Sequence, residues 1–204
     1  MPANDPIVYV VDDDQGSRES LRALVRSMGL QAEICGSAEE FLASFDPDRP
    51  GCLITDVRMP GMSGLDLQEK LAGDGIRFPV IIITAHAETP LTVKAIKQGA
   101  VTVLEKPCRD YELYDSIRDA LAQDAGWRAR SSDKHKFQQA LAELSAHERE
   151  VLDLMLMGEA NKNIAKRLDV SVRTIENRRQ KIFEKTEMDS LAQLLRRFYE
   201  DSGE

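Results

Sequence analysis

The chain has 204 residues, is 42% hydrophobic and 30% charged, and carries a net charge of −8; this is the balance of a globular protein of one or two domains. No apolar run approaches the ~20 residues that span a bilayer, and residues 1–6 have neither the basic nor the apolar region of a signal peptide. Cys35, Cys52 and Cys108 are odd in number and widely spaced, which excludes a disulfide framework or a zinc pattern and leads us to expect a cytoplasmic chain without membrane association.

The charge is unevenly distributed. Residues 1–124 hold 12 Lys+Arg and 21 Asp+Glu, a net of −9, whereas residues 125–204 hold 15 and 14, a net of +1. Within 162–185 there are 8 basic and 3 acidic residues, a net of +5. An acidic front and a basic patch near the end predict two tasks, the second directed at a polyanion.

In chain order, Ile7–Val11 reads as a buried strand running into Asp12-Asp13-Asp14. Three adjacent acids repel one another unless a cation sits among them; the alternative is the acidic first turn of a helix. A helix follows over Ser17–Met28, with Leu21, Leu24, Val25 and Met28 on one face. Gln31–Cys35 is a second strand, and Ser37 with Glu40 forms a capping box. A third strand ends at Asp56 and turns at once through Pro60, Gly61 and Gly64. A helix over about Leu65–Leu71 comes next, then an apolar strand, Pro79–Ile83, ending at Thr84. A helix over about Leu91–Gln98 leads to a fifth strand, Val101–Leu104, ending at Glu105-Lys106-Pro107. The last helix of this half carries Leu113, Ile117 and Leu121.

Strands alternating with helices predict a doubly wound, five-stranded parallel sheet. In that fold the strand C-termini share one edge, where ligands collect. Asp12, Asp13, Asp56, Thr84 and Lys106 all fall there. Three carboxylates can hold Mg²⁺, with Mn²⁺ as an alternative, and Lys106 and Thr84 can meet the oxygens of a phosphoryl group on Asp56.

Residues 124–143 lose the sheet pattern and read as a hinge at Gly126. A short helix capped by Ser132 or Asp133 would then carry Phe137, Leu141 and Leu144, and Trp127 is expected at a domain contact. From Leu144 onward only helices are predicted: Ser145 to Met157, opened by a Ser145/Glu148 capping box; Asn161–Leu168; Val172 to about Thr186; and Ser190–Tyr199, with Leu191, Leu194, Leu195 and Phe198 on one stripe. The third has Val172, Ile175, Ile182 and Phe183 on one side and long polar side chains on the other. A short helix, a tight turn and such a helix make the helix-turn-helix geometry.

Val10-Val11-Asp12-Asp13-Asp14, Asp56 to Gly64, Ile83-Thr84-Ala85 and Glu105-Lys106-Pro107 resemble the receiver domain of two-component response regulators. Leu144 to Leu152, Asn161-Lys162-Asn163-Ile164-Ala165, Val170-Ser171 and Thr174-Ile175-Glu176-Asn177 resemble the LuxR/NarL-type DNA-binding domain, so the whole chain is similar to FixJ-type response regulators. The resemblance implies a receiver at 1–123, a partly helical linker at 124–143 and a DNA-binding domain at 144–204. It implies that Asp56 accepts phosphate from a sensor histidine kinase, that Asp12, Asp13, Asp56 and the backbone carbonyl of Arg58 bind Mg²⁺, and that Thr84 and Lys106 contact the phosphate. Phosphorylation is then expected to release the DNA-binding domain from the receiver or to pair two chains, the latter through a face including Val93 and Lys97. Double-stranded DNA is expected to meet Lys162, Asn163, Arg173, Thr174, Glu176, Asn177, Arg178, Gln180, Lys181 and Lys185, with RNA polymerase as a further partner and Ser190–Tyr199 as a dimerisation helix.

Val103 and Cys108 stand where that family often has aromatic residues, so movement of Thr84 is expected to be read out by repacking of the fourth helix. Thr186-Glu187 stand where it often has Leu-Gly, which leaves that helix end without its glycine. Two rival readings are an aspartyl-phosphate phosphatase and a switched module whose helical domain binds protein. No Gly-x-x-x-x-Gly-Lys loop is present, so no ATPase is expected.

Overall fold

A computed structural model describes residues 5–202. The chain forms two compact units, residues 1–128 and 129–204. The first holds five strands, β1 (Ile7–Val11), β2 (Gln31–Cys35), β3 (Gly51–Asp56), β4 (Val80–Thr84) and β5 (Thr102–Glu105). They pair in parallel in the order β2-β1-β3-β4-β5. The helices are α1 (Gln15–Ser27), α2 (Ala38–Ser44), α3 (Gly64–Gly73), α4 (Thr89–Lys97) and α5 (Asp110–Ala142).

Parallel strands covered on both faces need apolar side chains at every position, and β1 and β4 are buried throughout. Alternation sends Tyr9, Val11, Leu53 and Ile82 into one core, with Phe41 and Leu67. It sends Val8, Val10, Ile54 and Ile81 into the other, with Val25, Leu113 and Ile117. The strand order reverses between β1 and β3, and the crevice for ligands opens at such a switch point, outside the strand C-termini. Asp12 and Asp56 flank it.

Local signals set the helix starts. Ser37 accepts from the Glu40 amide, but the Glu40 carboxylate accepts from the Gly36 amide at 2.6 Å, so the expected reciprocal box is displaced by one residue. A full box that the sequence reading did not include opens α3, between Ser63 and Asp66. Its first residue must be glycine: a Cβ on Gly64 would lie 2.2 Å from the Asp56 carbonyl oxygen. The start of α3 is thereby pressed against the end of β3.

The expected hinge at Gly126 is absent, because α5 runs for 33 residues through Gly126, Ser131 and Ser132. A mid-helix glycine costs about 1 kcal/mol. Here side chains on both sides of it tie the helix to the segment before and at the start of β3. The Asp124 carboxylate accepts from the Gly51 amide at 3.0 Å and pairs with Arg128 at 2.8 Å. The Arg128 guanidinium also donates to the carbonyls of Pro47, Asp48 and Arg49. Ser132 and Asp133 are interior to the helix and cap nothing. Trp127, expected at a domain contact, lines a cavity of the first unit.

In the second unit, Phe137, Leu141 and Leu144 are buried with residues of α6 (Ala146–Leu156), α7 (Asn161–Arg167), α8 (Val172–Thr186) and α9 (Leu191–Ser202). The Ser145/Glu148 box opens α6 as expected. On α8, Ile175 and Ile182 are buried, but Val172, expected inward, is 37% exposed at the first position of the helix. Among the residues of α9 whose burial is described, Leu194 alone is fully buried, with Leu191 and Phe198 packed beside it.

α8 ends at Thr186, and Glu187 takes the left-handed conformation at φ 56° without being glycine. An L residue there is strained by roughly 1–2 kcal/mol. Glu187→Gly is expected to raise the stability of the second unit by about 1 kcal/mol. Denaturant midpoints at unchanged m-value measure this, and a midpoint that stays or falls contradicts it.

Candidate phosphoacceptor site and nucleic-acid interface

The sheet edge gathers the predicted groups unequally. Lys106 follows β5, and its amide donates to the Thr84 carbonyl at 2.7 Å, which holds its side chain over the ends of β1 and β3. Its ammonium lies 2.6 Å from Asp12 Oδ2 and 3.3 Å from Asp56 Oδ1. Asp12 is buried and accepts two more hydrogen bonds, from the Ser17 hydroxyl at 2.7 Å and the Asp14 amide at 2.9 Å. Asp56 accepts from the Arg58 amide at 3.1 Å.

These surroundings move the two acids in opposite directions. Burial works to raise the Asp12 pKa, but Lys106, Ser17 and the Asp14 amide outweigh it and hold the carboxyl below its usual range. Burial raises the Asp56 pKa, and the more distant Lys106 only partly opposes this while the Asp12 charge adds to it. For Lys106, burial favours the neutral amine, yet its two carboxylate neighbours carry its pKa upward.

Asp13 is exposed and Asp14 caps α1, accepting from the Ser17 amide, so the helix-start reading of the acid run holds for Asp14. Thr84 is buried, and its hydroxyl exchanges hydrogen bonds with the His86 backbone at 3.3 and 3.4 Å. Among the described residues no three acid, histidine or cysteine side chains stand ready to hold a metal ion. The ammonium of Lys106 stands between Asp12 and Asp56. The donor set still fits Mg²⁺, which takes hard oxygens and is held through one or two carboxylates while keeping several waters.

Sequence reasoning passed over three residues here. The Ser17 hydroxyl and the Arg18 guanidinium, which donates to the Asp12 carbonyl at 2.5 Å, both orient Asp12. Glu39 Oε1 accepts from the Met62 amide at 3.2 Å and braces the turn after Asp56. The signal available was position: Ser17 and Arg18 face back from the first turn of α1.

On the second unit, Lys162, Asn163, Arg173, Glu176, Asn177, Gln180 and Lys181 are exposed, and Thr174 and Arg178 are half-buried. Ser171 caps α8, accepting from the Thr174 amide and bonding the Thr174 hydroxyl at 2.8 Å. Gln180 donates to Glu184 at 2.9 Å and Asn163 to Glu159 at 3.2 Å, leaving both on the surface. Lys185 departs from the predicted set. Its ammonium donates to Glu148 at 2.8 Å and to the Glu143 carbonyl at 3.0 Å, because α8 packs its last turn against the start of α6.

The family description for the response regulator receiver domain matches residues 8–118, and that for bacterial regulatory proteins of the luxR family matches residues 142–198. The chain belongs to the response regulators, with a receiver domain followed by a LuxR-type DNA-binding domain. Within them it is 40% identical over 190 residues to the response regulator protein TodT of Pseudomonas putida, covering 93% of this chain and 84% of that one. It is 40% identical over 196 residues to the transcriptional regulatory protein FixJ of Azorhizobium caulinodans, covering 96% and 92%. The solved response regulator StyR superposes with a TM-score of 0.84 at 39% identity, over 96% of this chain and 99% of that one. Full-length FixJ from B. japonicum does so with 0.59 at 35% identity, over 98% of each. The phosphatase and protein-binding alternatives gain no support from these relatives, and no described helix is long and apolar enough to cross a membrane.

The Glu148 carboxyl is lowered to about 2 by Lys185 and the Ser145 amide. A carboxyl depressed on folding stabilises above its unfolded pKa, and that contribution fades as pH falls through 4.5 toward about 2. Between about pH 6 and about pH 3, Glu148→Gln is expected to lose about 1–2 kcal/mol less stability than the parent, after discounting for the partly exposed lysine. Parallel unfolding free energies for the two chains across that range would contradict it.

Proposed function

We propose that this response regulator is switched by phosphoryl transfer to Asp56. The observation that carries the reading is the Lys106 ammonium bridging Asp12 and Asp56 at the β1/β3 switch point. An Asp56 oxygen attacks the phosphorus of a kinase phosphohistidine, the P–N bond breaks, and the imidazole leaves as the neutral base once protonated. Asp12, Asp13, Asp56 and the Arg58 carbonyl are the residues to hold Mg²⁺, which neutralises charge between the acid and the incoming group. Lys106 shifts from the carboxylates to one phosphoryl oxygen, and Thr84 exchanges its His86 bonds for another.

Movement of Thr84 then reaches α4, which is loosely started: Glu88, at its N-cap, makes no side-chain capping bond. Val93, Ile96 and Lys97 on this helix are exposed, and two chains pair through that face. The receiver spans 1–123, the linker 124–143 and the DNA-binding domain 144–204. Pairing presents two copies of α8 to a two-half-site operator in double-stranded DNA, where the cytoplasmic regulator meets RNA polymerase.

With acetyl phosphate and Mg²⁺, the parent chain is expected to gain the mass of one phosphoryl group, double its sedimenting mass and lose hydrogen-exchange protection in α4. Asp56→Asn is expected to do none of these. Labelling that persists in Asp56→Asn, or labelling without any change in sedimenting mass or exchange, overturns the switch.

The charged face of α8 supports phosphate contacts from Arg173 and Lys181. Lys181→Ala is expected to weaken duplex binding and to lower the slope of log affinity against log salt by about 1. Lys185→Ala is expected to leave that slope alone and to lower stability instead. The reverse assignment would place DNA on a different face.

A further inference from the structure

The Asp12 carboxylate draws its hydrogen bonds from two sources. One is local. The Asp14 amide donates to Oδ1 at 2.9 Å, and the Ser17 hydroxyl donates to Oδ2 at 2.7 Å. Asp14 closes this loop, because its own carboxylate accepts from the Ser17 amide at 2.7 Å and fixes Ser17 in the first turn of α1. Both donors belong to the stretch from Asp12 to Ser17, so they travel with Asp12. The other source is Lys106, 94 residues away, whose ammonium lies 2.6 Å from Oδ2, the oxygen that Ser17 already holds.

Two donors on one oxygen are partly redundant. Asp12 is 2% exposed, so a donor that leaves is poorly replaced by water. When Lys106 departs for a phosphoryl oxygen, Oδ2 keeps the Ser17 hydroxyl and Oδ1 keeps the Asp14 amide. Neither buried oxygen is stripped of its partner. Without that hydroxyl, departure of the lysine would leave Oδ2 as a charged, buried acceptor with no donor among the described residues, and Lys106 would be held back on Asp12.

We propose that Ser17 is a positioning residue for phosphoryl transfer, its hydroxyl standing in for Lys106 on Asp12 and so freeing the lysine to meet the phosphoryl group. The role rests on the reading of Asp56 as the phosphoacceptor. Ser17 acts through the Asp12 oxygen that it shares with Lys106, not on the reacting atoms.

The full chain is titrated with beryllofluoride and Mg²⁺, the fluoride taking the place of a phosphoryl group on the carboxylate, and binding is followed by fluorine NMR. Ser17→Ala is expected to bind roughly tenfold more weakly than the parent and to accept phosphate from acetyl phosphate correspondingly more slowly. Ser17→Thr keeps the hydroxyl at a half-buried position and is expected to restore both. A second experiment needs neither metal nor phosphoryl group. Denaturant midpoints are compared in chelator, at mildly alkaline pH, for the parent, Ser17→Ala, Lys106→Met and the double variant. Because the two donors share one oxygen, Ser17→Ala is expected to lower the midpoint at least about twice as far in Lys106→Met as in the parent. Unchanged beryllofluoride affinity in Ser17→Ala, no restoration by Ser17→Thr, or equal midpoint shifts in the two backgrounds overturns the role. A parent chain that binds no beryllofluoride strikes the Asp56 reading itself and this role with it, a result told apart because every variant is then equally inert.

Discussion

One ammonium shared by two carboxylates organises the receiver edge. Lys106 can bridge Asp12 and Asp56 only because β1 and β3 are neighbours and because the backbone after β5 is pinned to the end of β4. The pairing brings together residues 94 positions apart, whose half-buried charges attract more strongly than they would in water. Removing Lys106 would leave two carboxylates facing each other with no cation between them, whereas removing either acid leaves a matched pair. The sheet is thus the support of the site: its two apolar cores hold the strand ends in register, and the register sets the distances.

Much of this arrangement was legible in the sequence, for a physical reason. Parallel strands buried on both faces must be apolar at every position, so Ile7–Val11 and Val80–Ile83 announce themselves, and an acid or hydroxyl directly after such a run has one place to go. The DNA-binding half was readable through the period of α8 and through Ser145 with Glu148. What escaped was whatever depends on distant backbone. Gly126 is a helix breaker by local preference, yet Asp124 and Arg128 fasten the flanking turns to Gly51 and to the carbonyls of Pro47, Asp48 and Arg49, 73 to 81 residues away. Lys185 sits on the polar side of α8 by spacing, yet Glu148 lies within its reach, which only the packing of α8 on α6 determines. Glu187 shows the same limit from the other side: the helix ends where the family's glycine would end it, and an L residue is forced into the left-handed turn.

The two acids beside Lys106 are chemically alike but not equally placed, and the difference supports Asp56 as the nucleophile. Asp12 has its oxygens committed to Lys106, Ser17 and the Asp14 amide, with Arg18 fixing its carbonyl. A carboxylate so fully hydrogen-bonded is stabilised as an anion and has little lone-pair density to offer an electrophile. Asp56 accepts one backbone bond and a longer contact from the same lysine. Burial makes its charge costly and fewer hydrogen bonds hold it as an anion, so its lone pairs are less committed than those of Asp12. On the proposed assignment, the choice of one carboxylate over its neighbour rests on this unequal hydrogen bonding, with the better-satisfied acid holding the lysine in place.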